Sequence, residues 1–132
     1  MNKKYLAKII ATDREGLQMI SACCSGAKVK IGDIKFLVSN KIFLLSLIRN
    51  NVEAKNDKEI NSICKFDYVE KVKSKNIDQT KKNLVLKLAG IDYLRNKNNY
   101  EINLIFNNNA YISLSTETIE VRLEDQNELN NL

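Results

Sequence analysis

Residues 12–38 read TDREGLQMISACCSGAKVKIGDIKFLV, and the hydrophobic period changes inside that stretch. Thr12-Asp13-Arg14-Glu15 has the form of a capping box, in which the Thr12 hydroxyl accepts from the backbone N–H of Glu15 and the carboxylate reaches back. Asp13 and Glu15 also suit the positive end of a helix. Leu17, Ile20, Ser21 and Cys24 follow at helical spacing, with Met19 and Cys23 widening the apolar stripe. Gly26 is placed to end this helix in a left-handed conformation. From Ala27 onward the period is 2. Val29 and Ile31 share one parity, Ile34, Phe36 and Val38 the other, and Gly32-Asp33 marks the flip as a bulge or tight bend.

Downstream, the period of 2 persists. Ser39-Asn40-Lys41 turns the chain into Ile42 to Ile48, whose apolar residues at both parities predict a strand covered on both faces. A polar stretch from Arg49 to Asn61 reads as a surface connection. Cys64, Phe66 and Tyr68 alternate, and Val69 to Lys75 continues in a shifted parity. Leu84, Leu86 and Leu88 alternate up to Gly90, with Ile91 and Tyr93 on the opposite parity. Tyr100 to Phe106 is the cleanest amphipathic strand, and Asn107-Asn108-Asn109 makes a hairpin turn. Ile112 and Leu114 open a last strand that Ile119, Val121 and Leu123 close, with a bulge near Thr116. The competing reading makes residues 116–129 a helix, against the β-branched Thr118, Ile119 and Val121. The expected fold is α+β: one N-terminal helix and about seven or eight antiparallel strands in a curled sheet, either a partly open barrel or two layers. Residues 1–132 are expected to form one domain, with a core over 5–123 and a flexible tail over 124–132.

The composition excludes more than it names. There is no His, so Ser-His-Asp and Cys-His pairs, a His general base and His zinc ligands are all ruled out. Asn, Lys and Ile supply 18, 17 and 15 residues, and their A/T-rich codons trace much of this bias, including the absence of Pro, to a low-GC genome. The net charge of +5 therefore favours acidic partners only mildly. Met1-Asn2-Lys3-Lys4 and Ile20-Ser21-Ala22-Cys23 imitate the two ends of a lipoprotein signal, but Lys8, Asp13, Arg14, Glu15 and Gln18 interrupt the apolar segment it needs. No run approaches the ~20 apolar residues of a membrane span. Three cysteines, two of them adjacent, make a poor disulfide framework and fit a reducing cytoplasm.

No catalytic, cofactor-binding or metal-ligating set emerges. Asp33, Asp67, Asp78 and Asp92 are scattered in or near turns, the four glycines form no phosphate-cradling loop, and Cys64 alternates with Phe66 and Tyr68 as a core residue would. The binding signals are slightly better. Lys71, Lys73 and Lys75 project from one face of a strand, and residues 65–87 hold seven Lys against three acids. Such a face could follow a phosphate backbone, or it could protect an edge strand from aggregation. Residues 115–132 carry five acids against Arg122 alone, a separation of charge suited to self-association or a protein partner.

Taken together, Leu6, Ala11, Asp13, Leu17, Ile20-Ser21-Ala22, Ala27 and Gly32-Asp33-Ile34 resemble an uncharacterised family, chiefly alphaproteobacterial, known as domain of unknown function 2948. Phe66-Asp67-Tyr68-Val69, Leu86 to Ile91 and Thr118 to Asp125 extend the resemblance over about residues 5–125. It implies a small cytosolic bacterial protein and supplies no catalytic residues. Arg49 matches a family position, which makes it a better candidate for a specific contact than the lysines. This chain departs from the family's aromatic-rich segment at Arg49-Asn50-Asn51-Val52 and from its Pro/Trp-containing end at Gln126 to Leu132, so any surface built on those aromatics is weakened. The leading expectation is a non-enzymatic binding module with no cofactor, contacting a protein or a second copy through Arg49, Lys71, Lys73 and Lys75. Nucleic-acid binding by the lysine-lined strand is the first alternative, and a carboxylate- or metal-dependent enzyme the second.

Overall fold

The structure, a computed structural model, describes residues 7–50 and 58–128. After β1 (Lys8–Ala11), the only α-helix among the described residues, α1, runs from Arg14 to Cys24. Its N-cap is Asp13, whose carboxylate accepts from the Gly16 N–H at 2.8 Å, so the cap falls one residue later than the Thr12 capping box. Gly26 takes φ 83 just past the helix, the left-handed stop that the sequence suggests. Leu17, Ile20 and Cys24 are buried, and α1 packs on β1, on β4 (Ile42–Asn50) and on β7 (Val85–Asn96). The Ser21 hydroxyl, accepting from the Ile91 N–H at 2.9 Å, ties the helix to β7. Among the described residues no helix is long and apolar enough to cross a membrane.

The remaining strands are β2 (Ala27–Lys30), β3 (Ile34–Leu37), β5 (Glu59–Phe66), β6 (Val69–Lys75), β8 (Asn99–Phe106), β9 (Tyr111–Thr116) and β10 (Val121–Glu128). All ten join one antiparallel sheet in the order β1-β10-β5-β4-β2-β7-β8-β9-β6, with β3 beside the first half of β4. The link between β4 and β2 is a single pair, Lys28 with Ile48, so two halves meet at a narrow seam: β1, β10, β5 and β4 with β3 beside it, and β2, β7, β8, β9 and β6. The sheet does not close. The core includes Leu45, Leu88, Leu104, Leu114 and Leu123 and an edge-to-face pair of Phe43 and Phe66 with ring centres 6.0 Å apart. This is the α+β, mostly antiparallel architecture expected, with ten strands rather than seven or eight.

The extra strands have one cause. A shift of parity can be absorbed as a bulge, or it can mark a corner where the chain leaves for another part of the sheet. At Gly90 it is a bulge, with the register slipping between Leu88 and Gly90. At Asp67-Tyr68 it is a corner. β5 lies inside one half and β6 at the far edge of the other, and Tyr68 turns the chain with φ 60. The expected bulge near Thr116 is a corner as well: β9 ends there and β10 begins five residues later, between β1 and β5. Residues 121–128 are strand, not helix, so residues 124–128, expected as tail, pair with β1 and β5. The rest of that tail, and Asn51 to Asp57 of the expected surface connection, lie outside the described residues.

Candidate functional site

Because the sheet does not close, it has an open side, and a cleft of about 310 Å3 lies there. One wall is Ile31, Gly32 and the β3 residues Ile34, Lys35 and Phe36; the opposite wall is Val72 and Ser74 of β6. Phe43 and Ile112 form the floor, and Ile77, Gln79 and Lys82 close the far rim.

Local chemistry positions each wall. Residues Ile31–Asp33 make one 3-10 turn that docks on the chain returning to β7, with Ile31 N–H to Leu84 O at 3.0 Å and Gly32 N–H to Lys82 O at 2.9 Å. A Cβ at Gly32 would stand 3.1 Å from both the Lys82 carbonyl oxygen and the Lys82 Cβ, so glycine permits the approach that brings Lys82 to the rim. At the other end, Lys41 takes φ 57 in the β3–β4 turn, and its carbonyl accepts from the Val69 N–H at 2.8 Å. That bond pins the start of β6 to the turn. Beyond it β3 pairs only with β4 and β6 only with β9, so among the described residues both walls present a strand edge without a backbone partner.

The loop at the rim is organised by Asp78. Its carboxylate accepts from the Thr80 hydroxyl at 2.6 Å and the Thr80 N–H at 3.0 Å, and these bonds, with Lys81 nearby, hold its pKa below the ordinary carboxylate value. The other acids do not gather with it. Asp33 lies in the 3-10 turn beside Lys28 and Lys30, Asp67 pairs with Lys65 at 3.7 Å, and Asp92 shares the outer face of the sheet with Glu101 and Lys73. Among the described residues no three His, Cys, Asp or Glu side chains group as metal ligands would. Cys64 is fully buried; burial first, and then the neighbouring Cys24, pushes its thiol well above the ordinary cysteine value, a neutral core group rather than a ready nucleophile.

The four candidate contact residues separate into two places. Lys71, Lys73 and Lys75 are exposed on the edge strand β6, on the face opposite Val72 and Ser74, so they stand at the outer lip of the cleft. Arg49 is only 1% exposed. Its Nε and Nη2 donate to the Asp125 carboxylate at 3.0 and 2.7 Å, and Ser62 Oγ donates to the same carboxylate at 2.6 Å. The Ala7 N–H adds a fourth bond at 2.7 Å. Arg49 thus belongs to a buried clasp remote in kind from the lysine row.

Sequence reasoning missed the cleft, and of the clasp it singled out only Arg49. Ile34, Phe36 and Val72 carried a signal, since their alternation predicts an inward face, but only the topology brings β3 opposite β6. Asp125 sits in an unpatterned polar run, and its only mark was its place at the end of the family-like segment Thr118 to Asp125.

An open antiparallel sheet with one helix packed on it and a cleft on its open side defines a mostly antiparallel α+β protein. Residues 7–131 match the family model described as protein of unknown function (DUF2948), and the chain belongs to that family. No curated protein and no solved structure matches it.

Proposed function

We propose that this protein is a non-enzymatic binding module whose partner is a protein segment added as a strand on the open side of the sheet. The observation that carries this reading is the pairing of features across one cleft: two strand edges without backbone partners, facing each other over an apolar floor. A strand added to such an edge gains main-chain hydrogen bonds along its length and places alternate side chains in the cleft. The cleft's volume also lies at the lower end of the range for ligand sites, roughly 300–1,000 Å3, and suits side chains better than a large cofactor.

A photo-crosslinking amino acid in place of Phe36 tests the reading in living host cells, with the same group in place of the exposed Leu94 on β7 as the control. A discrete protein adduct from position 36, and none from position 94, is the expected result. The same adducts from both positions, or none from position 36, would overturn it.

A further inference from the structure

We infer that the segment taken by the open side is apolar and acidic by turns, a strand with one greasy face and one carboxylate face. The inference rests on the strand-addition reading above and adds the chemistry of the occupant.

The two walls carry the same alternation. On β3, Ile34 and Phe36 are half-buried toward the cleft, while Lys35 between them is exposed. On β6, Val72 is half-buried and Ser74 lines the cleft, while Lys71, Lys73 and Lys75 are exposed on the other face. Side chains of a strand alternate between faces with period 2. A strand lying between these walls therefore sets one set of side chains on Phe43 and Ile112, and the other set between lysines on both sides. Opposite charges directly across a sheet stabilise it, and like charges destabilise it. Lys82 adds a further cation at the rim, no acid lines the cleft, and among the described residues neither Lys35 nor Lys82 makes an ion pair. Glu70, the one acid of β6, falls where the register slips beside the pinned Val69 and so outside the row.

This arrangement also resolves a tension in β6. Lysines on an edge strand normally repel other strands and keep the edge bare. Here the same repulsion acts as a filter, since it rejects basic strands, while attraction favours one whose outward residues are acidic.

Fluorescence anisotropy with labelled octapeptides tests the inference on the full-length protein. The probes alternate Val with Glu, Val with Ser, or Val with Lys, and a fourth carries Pro in place of a central Glu. The Val/Glu peptide is expected to bind about tenfold or more tighter than Val/Ser at low salt, since each of several cross-strand charge pairs is worth a factor of roughly two to five. Val/Lys is expected not to bind, and Pro is expected to abolish binding because it removes a ladder N–H. The triple variant Lys35→Glu, Lys71→Glu, Lys73→Glu alters only exposed side chains and is expected to reverse the preference toward Val/Lys. Equal binding of Val/Glu and Val/Ser would overturn the acidic chemistry and leave strand addition standing. Undiminished binding of the Pro peptide, or binding of none of the four, would overturn strand addition itself. Oligothymidylate binding more tightly than every peptide would overturn both and give the lysine row to nucleic acid.

Discussion

Asp125 on β10 accepts from Arg49 on β4, from Ser62 on β5 and from the Ala7 N–H immediately before β1. Those groups span the whole run β1-β10-β5-β4, so one carboxylate clasps four neighbouring strands. The reciprocal bond from the Asp125 N–H to the Ala7 carbonyl, at 2.9 Å, fixes the main chain where the register of β10 slips. Both side chains of the Arg49–Asp125 pair are fully buried, so their attraction is offset by a large loss of hydration. Breaking such a pair is costly because it strands a buried charge, whereas replacing both partners by apolar groups is often tolerated. Asp125→Ala is therefore expected to lower unfolding stability by about 3–5 kcal/mol. The double variant Arg49→Met, Asp125→Leu should recover most of that loss, with urea denaturation as the measure. A double variant no more stable than Asp125→Ala would show that the clasp acts through something other than paired charge.

At the scale of the elements, the sequence was most legible where a single local rule decides. The 3.6 period and Gly26 mark α1, and the alternation through Tyr100–Phe106 with three Asn after it marks the β8–β9 hairpin. It was least legible at Asp67-Tyr68 and at residues 117–120, because a bulge and a corner leave the same shift of parity, and only long-range pairing tells them apart. The site followed the same division. Lys71, Lys73 and Lys75 could be seen as one face of a strand, but their placement across from β3 depends on a topology with no local trace. Even the polar loop at residues 78–83, which reads as an ordinary turn, proves to carry Gln79 and Lys82 to the rim of the cleft. Its order depends on Asp78 in the charged form. Because the hydrogen bonds from Thr80 depress the Asp78 pKa in the folded protein, their contribution is fully present above the ordinary carboxylate range. It is lost as pH falls through the lowered folded-state value. The amide resonance of Thr80 should therefore titrate at a pH below the ordinary range, with Asp78→Asn abolishing that titration while the fold persists. An unchanged Thr80 titration in Asp78→Asn would mean that another group organises the loop.

For the molecule as a whole, the open side implies a gradient of stability across the sheet. β5 is flanked on both sides from Ile60 to Phe66 by β4 and β10, and its inward residues Ile60, Ser62, Cys64 and Phe66 are all buried. β3 and β6 each have one partner, and most of β6 is exposed. Backbone hydrogen bonds at a solvated edge open with little disturbance to the core, whereas those at the centre break only with global unfolding. The clasp at Asp125 reinforces the same asymmetry, because it ties β5 to β10 and to the far end of β4 at Arg49, beyond the Ile42–Leu45 segment that pairs with the β3 wall. Native-state hydrogen exchange should accordingly find the β5 amides protected to nearly the global unfolding free energy, and those of β3 and β6 exchanging orders of magnitude faster. The Val69 N–H, held by Lys41, should be slower than its neighbours in β6. Saturation with the Val/Glu octapeptide should slow exchange along β3 and β6 and leave β1 at the opposite edge unchanged. Edge amides as slow as those of β5 in the free protein would mean that the sheet behaves as a closed structure, with no edge available for an added strand.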